Sequence, residues 1–373
     1  MHKNEKNIEF FLTNNSSTSS KKDDDDDDEL DEEIKLMHLT EKLNPKDKLL
    51  VLCKARMTID NYQKFLNEQH MIRGQWICYH IMSFGSIRKE YKTLLTLTEK
   101  PSLPICNIIT SGNIKSINND FKIQGQDPML SDDITNNIID EYHLNPSQAN
   151  VLKKVKNRKL SLVQGPPGTG KTTTIIATII RELTESFLTN NPFKILVCTP
   201  SNYACDEIAK RLEKEKENKE YIRPFRCKAD NNLTEIKLEE ELNKANVVIC
   251  TLYFSGNKYI RELLFNFLII DEACQCTELT CLILFCYNIN QAILIGDPKQ
   301  LPPIIKSHKI EKCGYGKSLF ERIQEESLSE EIFLLNVQYR MHPNISKLSS
   351  QCFYDGKIID GECQVKSMDQ RMD

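Results

Sequence analysis

The sequence predicts an α/β fold built on a parallel sheet, and three observations carry that expectation. At residues 160–180, LSLVQGPPGTGKTTTIIATII, an apolar run from Leu160 to Val163 feeds a loop of three glycines and two prolines. A β-branched, apolar helix-like run follows the loop. Beyond it, strand-like and helix-like stretches alternate, the pattern of βαβ units and a parallel sheet. Runs such as Phe267-Leu268-Ile269-Ile270 are continuously apolar, as suits strands buried on both faces.

The loop fits G-x-x-x-x-G-K-[ST] at Gly165, Gly170, Lys171 and Thr172, with Pro166, Pro167, Gly168 and Thr169 inside it and Thr173 just beyond. Backbone N–H groups must turn inward to cradle phosphate oxygens, and glycine permits that approach. The following helix would aim its positive end at the same phosphates. Lys171 can reach the β- and γ-phosphates, and the Thr172 hydroxyl can hold Mg²⁺. The alternative is a plain glycine-rich turn between strand and helix. The flanking signals favour a nucleoside triphosphate site.

With 373 residues the chain has room for two or three domains. Hydrophobic residues make up 40%, enough for a buried core. The net charge of −4 hides an asymmetry, because residues 23–33 hold ten of the 53 acidic residues. Without that run, 49 basic residues stand against 43 acidic ones, a balance of +6. A mildly basic body permits nucleic-acid binding without demanding it. The 14 cysteines show no C-x-x-C pair of zinc-finger spacing and read as reduced thiols of a nuclear or cytosolic protein. No apolar run approaches the roughly 20 residues that span a bilayer, and residues 1–15 lack the apolar stretch of a signal peptide.

In chain order, residues 1–35 read as a disordered acidic tail, because like charges at this density repel and no core can form. The tail is either a protein-interaction segment or plain solvated sequence. Residues 36–140 read as an accessory region and linker. Within them Trp76–Ile81 is a plausible strand, and Ser86 through Leu97 a helix with Ser86 as its N-cap. Residues 111–137, rich in Asn, Asp, Ser and Gly, read as loop. Asn145-Pro146-Ser147-Gln148 opens a helix running towards Lys156. Strands are expected at Lys194–Thr199, Asn246–Thr251, Phe267–Asp271, Ala292–Asp297 and Ile332–Gln338, with helix at Ala204–Lys216.

In open parallel sheets ligands sit beyond the carboxyl ends of the strands, and reactive residues recur at those ends here. Asp271-Glu272 follows the run Phe267–Ile270. Asp271 is placed to hold Mg²⁺ and Glu272 to act as general base on the attacking water. An Asp-Glu pair can also be a helix N-cap. Gly296-Asp297-Pro298-Lys299-Gln300-Leu301-Pro302-Pro303 reads as a turn, or as a γ-phosphate sensor acting through Gln300. Thr199-Pro200-Ser201-Asn202 offers small polar groups that suit a sugar–phosphate backbone. Arg340, in Gln338-Tyr339-Arg340-Met341-His342-Pro343, can stabilise charge on a transferring phosphoryl group.

The order NPSQ, GPPGTGKT, TPSN, DEACQ, GDPKQLPP, QYRMHP between residues 145 and 343 resembles the Upf-like group of superfamily 1 helicases. DEACQCTEL, residues 271–279, looks most like the senataxin family, also known as the tRNA-splicing endonuclease positive effector group. SIRKEYKTLL, residues 86–95, is similar to text near the stalk and β-barrel upstream of such ATPase cores. The resemblance implies a RecA-like ATPase domain over 141–337, the start of a second over 338–373, and a partial stalk or barrel before them. It implies ATP and Mg²⁺ as cofactors and 5′-to-3′ movement on single-stranded RNA or DNA. By motif, Gln148 would read adenine and Tyr339 would stack on it. Lys171 and Thr172 would serve phosphate and Mg²⁺, Asp271 and Glu272 Mg²⁺ and water, and Gln300 and Arg340 the γ-phosphate. Thr199, Pro200, Ser201, Asn202 and Thr251 would lie along the nucleic-acid track.

Helicases of this group place ATP between two RecA-like domains. Asp373 lies thirty residues beyond QYRMHP, so the resemblance implies an N-terminal portion that does not unwind alone. Only 25 residues, Tyr221 to Ala245, stand where an insertion normally follows the TPSN helix, which implies a short prong. The resemblance further implies a nuclear monomer with no membrane contact. A non-motor scaffold built on one such domain is the competing expectation. A ring-forming AAA+ ATPase is a third, disfavoured by GDPKQLPP and QYRMHP.

Overall fold

The computed structural model describes residues 11–14, 76–79, 85–99, 114, 118, 128–228, 234–287, 289–305, 307–327 and 331–361. The chain divides into two compact units, Met1–Arg88 and Lys89–Asp373. In the first, β1 (Phe11–Asn14) pairs antiparallel with β2 (Trp76–Tyr79). The strand expected at Trp76–Ile81 is therefore present as far as Tyr79. Phe11–Asn14, inside the tail read as disordered, is a strand and corrects that reading there. The acidic run lies outside the described residues.

The second unit holds a seven-stranded sheet ordered β5-β6-β4-β7-β8-β3-β9. Its strands are β3 (Leu160–Gln164), β4 (Ile195–Thr199), β5 (Pro224–Arg226), β6 (Val247–Thr251), β7 (Phe267–Ile270), β8 (Gln291–Gly296) and β9 (Ile332–Leu334). Every neighbouring pair is parallel. All residues of β4, β7 and β8 are buried. Side chains alternate between the faces of a strand. Along β7, Leu268 and Ile270 join one core while Phe267 and Ile269 join the other. Burying each such side chain contributes about 1.5–3 kcal/mol, which is why a run with no polar alternation folds as an inner strand.

The longer helices of the chain are α1 (Gly85–Glu99), α2 (Pro128–Glu141), α3 (Pro146–Val155), α4 (Lys171–Thr189), α5 (Asn202–Asn218), α6 (Glu235–Lys244) and α7 (Glu278–Phe285). To these are added α8 (Leu319–Glu326) and α9 (Pro343–Phe353). Helix α4 buries Ile175, Ile176, Ile179 and Ile180 against one face of the sheet, beside Val151, Leu152 and Val155 of α3. Helices α7 and α8 contribute to the core on the other face. Among the described residues no helix is long and apolar enough to cross a membrane.

Three further expectations need correction. Helix α1 begins at Gly85, so Ser86 lies in its first turn and does not cap it. Residues 128–137, read as loop, belong to α2. Asn and Asp dominate the composition there, but Ser131, Ile134, Thr135 and Ile138 recur at three- and four-residue spacing and are buried as one stripe. The strand expected over 332–338 is two strands. Ile332–Leu334 joins β3, while β10 (Val337–Gln338) pairs in parallel with β11 (Ile359–Asp360) in a separate sheet. The chain leaves the main sheet after Leu334, and α9 connects β10 to β11. Between Tyr221 and Ala245 the described residues supply edge strand β5 and helix α6.

Candidate nucleotide site and nucleic-acid edge

Strand β3 delivers the chain to the glycine-rich loop, whose entry is pinned by the Gly165 N–H donating to the Gly296 carbonyl at 2.9 Å. Gly168 and Gly170 have φ of 76° and 79°. That left-handed conformation costs roughly 1–2 kcal/mol for a residue with a Cβ. Space is a second constraint: a Cβ on Gly170 would stand 2.4 Å from Gln148 Nε2, and one on Gly168 2.6 Å from Arg340 Cβ. Thr169 is buried, with its hydroxyl donating to the Pro166 carbonyl at 2.7 Å. Pro167 precedes Gly168 in the same turn. The loop opens the 19-residue helix α4, whose first residues, Lys171, Thr172 and Thr173, are half-buried. Unpaired N–H groups and the helix dipole at that end favour an anion.

Lys171 Nζ donates to the Gly165 carbonyl at 2.9 Å and stands 3.5 Å from Glu272 Oε1. The loop lysine and the acid after β7 therefore already face each other. Asp271 is buried, and its N–H donates to the Cys198 carbonyl of β4 at 2.9 Å. Burial, then the neighbouring Glu272 charge, push the Asp271 pKa up to about 7, against the pull of Lys171. Glu272 has φ of 53°, an uncommon conformation for a residue with a side chain. Such strain clusters at functional sites. Its side chain makes no cap hydrogen bond to the short 3₁₀ turn Ala273–Gln275, so the capping alternative fails. Glu272 Oε2 instead accepts from Gln275 Nε2 at 3.1 Å.

A hydroxyl on α4 and a buried carboxylate at the end of β7 are hard oxygen donors, the set that Mg²⁺ prefers. Asp271 is costly to ionise where it sits, and a divalent cation would offset that cost. Thr172 and Asp271 thus fit the expected metal.

Gln300 follows β8, where its Nε2 donates to Asp297 Oδ2 at 2.7 Å. Asp297, unassigned from sequence although it lies in GDPKQ, is a hub. Its carboxylate also accepts from Gln164 Nε2 at 3.2 Å, the Lys299 N–H at 3.2 Å and the Tyr354 hydroxyl at 2.6 Å.

Helix α3 starts as expected, with a capping box between Asn145 and Gln148. Gln148 Oε1 accepts from the Asn145 N–H at 3.1 Å, and its Nε2 donates to the Thr169 and Gly170 carbonyls at 3.2 and 3.5 Å. The expected adenine reader is 4% exposed and spends its amide on holding the loop. In this conformation the capping box and the loop carbonyls use both ends of its side chain. Asn145 Nδ2 donates to the Tyr339 hydroxyl at 3.0 Å, which brings Tyr339 beside Gln148. The Tyr339 N–H donates to the Gly168 carbonyl at 2.9 Å. Arg340 is exposed, with its backbone packed on Gly168.

The remaining predicted residues gather on the other half of the sheet. Thr199 and Thr251 are register partners at the ends of β4 and β6. Thr199 is fully buried, and its hydroxyl donates to the Ser201 carbonyl at 2.7 Å. It shapes the loop and offers no hydroxyl to a ligand, which corrects its expected place on the track. Pro200 is half-buried, while Ser201 and Asn202 are exposed. Ser201 caps α5 by accepting from the Ala204 N–H at 3.2 Å, and Asn202 Oδ1 accepts from Arg226 Nη2 at 2.8 Å. Thr251 is half-buried and makes no cap hydrogen bond to the turn that follows. Arg226 was missed because no motif marks it; only the edge position of β5 brings it to Asn202.

Two family models, each described as an AAA domain, match the chain: AAA_11 over residues 143–240 and 214–308, and AAA_12 over 315–373. Among curated relatives, the chain is 31% identical over 262 residues to "ATP-dependent helicase upf1" of Schizosaccharomyces pombe, covering 58% of this chain and 28% of that protein. It is 36% identical over 260 residues to "ATP-dependent helicase NAM7" of Saccharomyces cerevisiae, covering 58% and 26%. Against "Helicase sen1" of Schizosaccharomyces pombe the identity is 29% over 350 residues, covering 61% and 21%. The chain therefore spans under a third of the length of these relatives.

Proposed function

Because the chain belongs to the Upf-like superfamily 1 helicases, we propose that it binds ATP with Mg²⁺ and hydrolyses it to drive 5′-to-3′ movement along single-stranded RNA or DNA. The observation that carries this reading is Lys171 held between the loop carbonyl of Gly165 and the carboxylate of Glu272 at 3.5 Å. A lysine so placed exchanges those partners for the β- and γ-phosphates when nucleotide enters. Glu272 then faces the γ-phosphate, where it orients a water and accepts its proton during attack on phosphorus. Thr172 and Asp271 would hold Mg²⁺, which neutralises phosphate charge. Gln300 and Arg340 contact the γ-phosphate, Arg340 from the segment docked on Gly168. Tyr339 stacks on adenine, with Gln148 reading its edge after releasing the loop carbonyls.

Ser201, Asn202 and Thr251, supported by Pro200, form the track for the sugar–phosphate backbone. Phosphate contacts carry no sequence information, so RNA and DNA both fit. The senataxin type is favoured by DEACQCTEL. Residence in the nucleus, action as a monomer and protein contacts through the acidic tail complete the reading. Residues 1–373 alone are expected to bind nucleic acid without unwinding it.

The test is Lys171→Ala, with ATP turnover and nucleotide affinity measured on the purified chain. Turnover should fall at least 100-fold, on the scale seen when a charge-stabilising group is removed. A variant that turns over ATP at the parent rate overturns the reading and leaves the scaffold. Duplexes with a 5′ or a 3′ single-stranded tail, offered to the full-length protein, test direction: preference for the 3′ tail would reverse the proposed polarity.

A further inference from the structure

Tyr354 closes α9, the helix that begins just after Arg340. It is 7% exposed, and its hydroxyl donates to Asp297 Oδ2 at 2.6 Å. Burial and the carboxylate beside it raise the phenol well above its ordinary value, so it remains a proton donor across the neutral range. Asp297 is itself 1% exposed. Its Oδ1 is taken by Gln164 and the Lys299 N–H, and its Oδ2 by Gln300 and Tyr354. The carboxylate orientation is thus set by four donors. Gln164 lies in β3, Lys299 and Gln300 follow β8, and Tyr354 comes from the end of α9.

A primary amide carries two N–H groups. Fixing one of them on Asp297 fixes the direction of the other, and so aims Gln300. The far end of the same segment is docked as well, through the Tyr339 N–H on the Gly168 carbonyl at 2.9 Å. Helix α9 therefore touches the phosphate loop through the residues before it and the sensor turn through the residue after it.

We propose that Tyr354 is a positioning residue, whose hydroxyl holds Asp297 and through it aligns Gln300 towards the γ-phosphate only while α9 is docked. The alignment of the sensor then depends on where the segment after QYRMHP sits. Movement of that segment withdraws one of the two donors on Asp297 Oδ2, and Gln300 loses its fixed direction. The inference rests on the proposed ATP site and extends it to a residue outside every recognised motif.

The test is Tyr354→Phe, which removes the hydroxyl and keeps the ring. Affinity for a fluorescent ADP should stay within twofold of the parent. Affinity for a non-hydrolysable ATP analogue should fall about fivefold or more, and turnover about tenfold, the scale of losing one buried hydrogen bond to a charged group. Tyr354→Phe combined with Gln300→Ala should be no worse than Gln300→Ala alone, because both act through one contact. A merely structural tyrosine would lower the melting temperature and leave ATP-over-ADP discrimination at the parent value, and that result overturns the inference. Additive losses in the double variant also overturn it. Should Tyr354→Phe fail to fold, Asp297→Asn must show the same selective loss for the ATP analogue. Lys171→Ala serves as control. If it leaves nucleotide binding intact, the ATP site itself is misplaced; if it abolishes binding while Tyr354→Phe changes nothing, only the role of Tyr354 falls.

Discussion

At the ends of β3, β7 and β8 the polar side chains are tied to one another. Lys171 meets Glu272, Asp297 meets Gln164, Gln300 and Tyr354, and Asp271 and Asp297 are buried. At the ends of β4, β6 and β5 the exposed groups, Ser201 and Asn202, are held by a helix cap and by one arginine. One sheet edge thus carries two kinds of surface. The buried half suits transfer of a phosphoryl group, which depends on charges fixed before the reaction. The open half suits a ligand gripped by its backbone and released at each step.

The largest test of that contrast is Glu272→Gln. If the buried half is catalytic, turnover falls at least about 100-fold, the lower range for loss of a general base, while nucleotide affinity is retained. Near-parent turnover in a steady-state ATPase assay would break the contrast at its centre. Next is Thr199→Val, which removes a buried hydroxyl and leaves the Ser201 carbonyl without its donor. Stability should drop by about 1–3 kcal/mol in urea titration, with nucleic-acid affinity unchanged. A selective loss of oligonucleotide binding would instead return Thr199 to the track. The smallest effect is expected at Asn202→Ala. Its side chain is exposed, so stability should move by no more than about 0.5 kcal/mol. Anisotropy with a single-stranded oligonucleotide should show affinity lowered a few-fold. If Asn202→Ala destabilises the fold more than Thr199→Val does, the division into buried and open halves is wrong.

Much of the fold was legible because the signals are local. Apolar strands of four to six residues, an Asn-Pro-Ser-Gln cap and a glycine-rich loop each act within a few residues, and each stands where expected. Helix α2 was not legible by composition, since its buried stripe includes Ser131 and Thr135. These residues belong to a polar network in which Arg181 Nη2 donates to the Ser131 hydroxyl at 2.8 Å and to Glu185 at 2.7 Å. A helix that buries polar residues against polar residues leaves little apolar periodicity to read. The break between β9 and β10 was equally hidden, because Leu335 and Asn336 interrupt pairing without a glycine or proline.

Identities at the strand ends come from the sequence: Lys171, Thr172, Asp271, Glu272 and Gln300 are set by motif and by the apolar runs before them. What each of the polar groups faces came from tertiary packing. Thr199 turned inward, Gln148 was spent beneath the loop, and Arg226 reached Asn202 from an edge strand. Asp297 became a hub because Gln164 lies 133 residues before it and Tyr354 57 residues after it, brought together by the β3–β8 pairing and by α9. Motifs encode which groups are available at a strand end; the partner of a buried carboxylate is chosen by whichever donors the packed chain delivers, because a charge left without donors away from water is costly.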